Sequence, residues 1–128
     1  MDTRIRYWLE LSEYDLETAS AMLKSGRYLY VGFMCHQTIE KVFKACFVKI
    51  KSESPPFTHG LSYLAGKGNF YHLLSDEQKE FLDLLEPLNI EARYPSHKER
   101  LLKSLNESKC TEIIQKTKDL QLWIKQML

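Results

Sequence analysis

Tyr28 to Ile50, YLYVGFMCHQTIEKVFKACFVKI, is the stretch whose reading decides the fold. It contains no proline and a single glycine, and it is long enough for about six helical turns. Leu29, Val31, Phe33, Met34, Ile39, Val42, Phe43, Cys46, Phe47 and Ile50 cover most of its circumference. A helix apolar nearly all round is a buried central helix. One polar stripe breaks the pattern: His36, Glu40 and Lys44 recur at four, with Gln37 and Lys41 beside them. The stripe has two readings. It is a solvent edge carrying a Glu40–Lys44 pair worth a few tenths of a kcal/mol, or it faces a cleft, a ligand or a partner subunit.

Upstream, Ile5, Trp8, Leu9, Leu16, Ala19, Met22 and Leu23 recur at three and four, which predicts an amphipathic helix from Thr3 to Ser25. Ser12 falls where another apolar residue would fit. Gly26 suits the left-handed position after a helix end, and so short a connection makes the first two helices antiparallel neighbours. Downstream, KSESPPF excludes helix through its paired prolines. Thr58 is a cap candidate for a short helix, HGLSYLAG, which Gly66-Lys67-Gly68 closes.

Ser75 with Gln78 forms a capping box for a third long helix from Asp76, turning Phe81, Leu82, Leu84, Leu85 and Leu88 inward. Pro87 predicts a kink or restart there, with the helix running on toward Arg93. Pro95 disfavours helix at Tyr94, and KERLLKSL admits either a short helix or an irregular crossing. Asn106 caps a last helix in which Cys110, Ile113, Thr117, Leu120, Ile124 and Met127 repeat at three and four. The expectation is a single all-α domain over residues 1–128. Its architecture is an antiparallel, up-and-down four-helix bundle with a short extra helix between the second and third long ones.

These residues also carry a resemblance. His36-Gln37, Glu40-Lys41 and Lys44-Ala45, after an aromatic-rich helix start, resemble the second helix of HEPN domains. Tyr14-Asp15-Leu16, Ala19, Met22-Leu23 and Gly26-Arg27-Tyr28 resemble that family's first helix and turn. Pro56, Thr58-His59 and Leu64, then Ala92-Arg93-Tyr94-Pro95, follow in the same order, so the similarity spans about residues 5 to 126. For a compact stand-alone protein, it implies a homodimer associated with a separate minimal nucleotidyltransferase, in a toxin–antitoxin type of system, with nucleotide or RNA as ligand. His36, Gln37, Glu40, Lys41, Lys44, His59, Arg93 and Tyr94 would then line a ligand groove or the dimer seam.

In the catalytic branch of the family the resemblance implies a metal-independent endoribonuclease. An arginine there holds the scissile phosphate, and a histidine on the same helix, with four to six residues between the two, moves the proton of the 2′-hydroxyl. Here only three residues separate Arg93 from His97, and Pro95 is one of them. The two side chains need not share a helical face, which tells against the nuclease and for a binding or partner module. A scaffold with no ligand is the plainer alternative.

Composition narrows the classes. Across 128 residues, 44% are hydrophobic and 27% charged, with a net charge of +1. No global basic field advertises nucleic acid, so any such binding must come from a local patch. Cys35, Cys46 and Cys110 form no CxxC and read as reduced, buried thiols. The charged, periodic N-terminus is unlike a signal peptide, and no apolar run is long enough to span a membrane, so a cytoplasmic protein is expected. His36 and Glu40 alone do not make a metal site, and no HExxH, phosphate loop or GxGxxG is present. No metal or cofactor is expected. His72 has no evident role.

Overall fold

In the computed structural model, which describes residues 1–91, 99–100 and 103–128, the chain turns entirely about its second helix. Five helices are formed among the described residues: α1 (Thr3–Lys24), α2 (Tyr28–Lys51), α3 (Leu61–Lys67), α4 (Asp76–Glu91) and α5 (Glu107–Lys125). A 3-10 turn, Tyr71–Leu73, precedes α4, and residues 99–100 and 103–104 are also helical. The long helices α1, α2, α4 and α5 form the four-helix bundle, and α3 is the short extra helix between the second and third of them. α2 packs against each of the other four.

The reason is the apolar circumference of α2. Val31, Cys35, Ile39, Val42, Phe43 and Cys46 have no exposed surface at all. Each of the bundle's other helices contributes one stripe to that centre: Ala19 from α1, Leu61 and Leu64 from α3, Leu82 and Leu85 from α4, and Ile113 and Ile124 from α5. Ile50, at the last turn of α2, departs from the expected face and is 43% exposed.

Helix ends follow local chemistry. Asp2 starts α1 by accepting from the Arg4 amide at 2.7 Å. After Ser25, Gly26 takes φ +74°, and the Arg27 amide donates to the Met22 carbonyl at 2.8 Å, which turns the chain straight back into α2. The capping box is complete: Ser75 N–H donates to Gln78 Oε1 and Gln78 N–H donates to Ser75 Oγ, at 2.8 and 3.1 Å. Asn106 accepts from the Lys109 amide at 2.8 Å.

Two expectations are corrected. Thr58 does not cap α3: its hydroxyl accepts from the Gly60 amide at 3.1 Å, Gly60 is the N-cap, and the helix begins only at Leu61. The Ser62 amide in the first turn of α3 donates instead to Glu86 Oε1 of α4, at 2.9 Å. Of the kink or restart expected at Pro87, the restart does not occur, since the helix is continuous from Asp76 to Glu91. Leu85, Leu88 and Asn89 are buried on both sides of the proline, and their packing holds the segment together. The expected run toward Arg93 and the break at Tyr94-Pro95 lie outside the described residues.

Candidate functional site

The stripe on α2 is neither a solvent edge nor an open face of the described chain. His36, Glu40 and Lys44 are 1%, 2% and 7% exposed. They turn toward α1 and the 52–60 connection, and every buried polar side-chain atom among the described residues has a hydrogen-bond partner. That satisfaction is what makes the burial tolerable.

Two networks share the stripe. In the first, Lys41 donates to Gln37 Oε1 at 2.9 Å and to Asp15 of α1 at 3.3 Å, while Gln37 Nε2 donates to Asn89 of α4 at 3.0 Å. In the second, Glu40 lies between an ammonium and an imidazole. Its Oε2 accepts from Lys44 Nζ at 3.2 Å, and its Oε1 lies 2.8 Å from His59 Nδ1. His59, placed before α3 and not within it, is half-exposed, so a surface imidazole covers an otherwise buried carboxylate.

His36 is the innermost member. Its Nδ1 lies 3.9 Å from Glu40 Oε1 and 3.5 Å from Gln37 Nε2, and the backbone of His59 hydrogen-bonds the ring. Burial outweighs the nearby Glu40 charge and pushes the imidazole down from 6.5 to about 4, so at neutral pH the ring is uncharged. The thiols are equally unreactive. Burial raises Cys35 and Cys46 to about 12 and Cys110 to about 11, far from the thiolate a nucleophile needs. Among the described residues no three His, Cys, Asp or Glu side chains converge as metal ligands would.

Lys44 connects this interior to the surface. Its ammonium lies 5.1 Å from the centre of the Trp8 ring, and both residues border a groove of about 580 Å³ between the start of α1 and the 54–57 segment. Arg4, Tyr7, Pro55, Pro56 and Phe57 also line it. Phe57 is fully exposed and Tyr7 57% exposed. A second groove of about 360 Å³ shares Ser54 and Pro56 with the first and adds Lys51, Tyr63 and Lys67. Lys67 Nζ lies 5.7 Å from the Tyr63 ring centre.

The model of the HEPN domain family matches residues 5–127. The chain belongs to that family. Solved structures show the same fold. The crystal structure of TT1696 from Thermus thermophilus is similar at a TM-score of 0.84 and 18% identity, over 99% of this chain and 100% of that one. ST0689, described as an archaeal HEPN homologue, gives a TM-score of 0.68 at 21% identity, over 98% of each chain. No curated protein matches the chain.

Of the candidate residues of this HEPN chain, the fold brings together His36, Gln37, Glu40, Lys41, Lys44 and His59, and Lys44 among them borders the groove beside Trp8. Arg93, Tyr94 and His97 lie outside the described residues. Spacing along α2 could reveal the stripe but not its tertiary partners Asp15, Trp8 and Asn89. The exposed aromatic groove did have a signal: Phe57 directly follows two prolines, where no helix can bury it.

Proposed function

We propose that this HEPN protein is a binding module for single-stranded RNA or its nucleotides, held at the surface around residues 54–57. The observation that carries it is the pair of adjoining grooves, where Tyr7, Trp8, Phe57 and Tyr63 alternate with Arg4, Lys44, Lys51 and Lys67, and Glu53 is the acid in their lining. The exposed rings of Tyr7 and Phe57 give unpaired bases a stacking surface, and interleaved cations follow the phosphates. Arg4 pairs with Asp2 and Lys44 with Glu40, so Lys51 and Lys67 supply the local positive charge that the net charge of +1 does not. The proposal keeps the family expectation of a homodimer working with a separate minimal nucleotidyltransferase, in a toxin–antitoxin type of system. The buried stripe then acts as the frame that sets Lys44 against Trp8.

The test is fluorescence anisotropy with a labelled single-stranded oligoribonucleotide and its duplex, at two salt concentrations. Tyr7→Ala and Phe57→Ala should each weaken single-strand binding by about 1–3 kcal/mol, roughly fivefold or more. Arg4→Ala should lower the salt dependence, and the duplex should bind less well. Binding unchanged by both ring substitutions would sink the proposal.

A further inference from the structure

A furrow of about 590 Å³ lies between the first turns of α4 and the last turns of α5. Both helices pack on α2 but have little direct packing with each other. Its floor is apolar: Phe81 and Leu120 are 7% and 2% exposed, and Leu84 and Trp123 are partly open. Its rim is acidic, with Glu77 and Glu80 on α4 and Asp119 on α5, all exposed.

Among the described residues, the cations nearest this rim are engaged elsewhere. Lys116, the cation in the furrow's lining, donates to Glu112 at 3.1 Å. Lys79, between the two glutamates, lies over the Tyr71 ring at 4.7 Å. The start of α4 has its own capping box, so the helix end does not call for an anion there. The connection between α4 and α5 joins their other ends, Glu91 and Glu107.

We propose that this furrow docks a basic amphipathic helix of a partner protein. A slot between two helices that fail to close on one another has the shape of a missing helix, and an apolar floor takes that helix's apolar face. The negative rim selects cations along the flanks and repels the phosphates that suit the other groove.

A fluorescently labelled synthetic helix of leucine and lysine, patterned with one apolar face, is the probe, and its leucine–glutamate counterpart is the control. Anisotropy should show saturable, salt-sensitive binding of the lysine peptide only. The surface pair Glu77→Gln and Glu80→Gln, made together, should weaken it about fivefold or more while circular dichroism stays unchanged. Equal binding of both peptides, binding of neither, or indifference to the paired substitution overturns the proposal. So does sedimentation showing that the lysine peptide dissociates a dimer of the chain, because a second copy would then be the occupant.

Discussion

At the scale of single residues, His36 places an ionisable ring where charge is not tolerated. In the unfolded chain it titrates near 6.5, and in the folded one near 4, because burial removes the water that would solvate the imidazolium. The unfolded state therefore binds more protons between those values. Stability is full above about pH 6.5 and is lost as the pH falls toward 4, by about 3 kcal/mol in total. Urea titrations across that range should show this loss in the wild type and a flatter profile in His36→Gln. A variant with the same slope as wild type would place the acid sensitivity in groups other than His36. The spacing of His36, Glu40 and Lys44 was legible from the sequence, since helical geometry fixes that they share a face. What the face meets was not legible. Asp15 lies 26 residues from Lys41, and Asn89 lies 52 from Gln37, separations at which only the assembled fold sets partners.

At the scale of elements, the local stop and start signals were mostly readable, because caps depend on residues within one turn of each other. Gly26, Ser75 with Gln78, and Asn106 act where the sequence places them. Thr58 failed as a cap because the helix starts only after Gly60, and the distant Glu86 accepts from the Ser62 amide instead. Gly68 shows a different limit. It reads as a turn glycine, yet its φ is −82°, which any residue can adopt. Its need is spatial: a Cβ there would lie 2.6 Å from Cε1 of Phe70 and 3.1 Å from the Leu64 carbonyl. Phe70 is wholly buried, edge-on to Phe43 at 5.1 Å between ring centres, and cannot swing away. Gly68→Ala should therefore cost about 1–3 kcal/mol, as overpacking does. Thermal denaturation beside Gly66→Ala, where a Cβ meets nothing within 4 Å, checks it. Equal melting temperatures in the two variants would show that the ring relaxes freely.

At the scale of the whole molecule, the bundle is held by more than apolar stripes, since polar ties cross its interior and fix which helices neighbour which. The clearest begins at Ser12, which reads as a gap in the apolar face of α1. In the fold it is fully buried. Its hydroxyl donates to the Thr38 carbonyl of α2 at 2.7 Å and accepts from Gln121 Nε2 of α5 at 3.0 Å, so one side chain joins three helices. Ser12→Ala leaves the Gln121 amide buried without that acceptor, a loss of about 1–3 kcal/mol. Gln121→Leu removes the stranded donor, and a site apolar on both sides no longer carries the desolvation cost. A denaturation cycle should then show the two substitutions together costing at least about 1 kcal/mol less than the sum of the single ones. Strict additivity would mean that each side chain finds other partners when the first is lost. The three helices would then be aligned by their apolar packing alone.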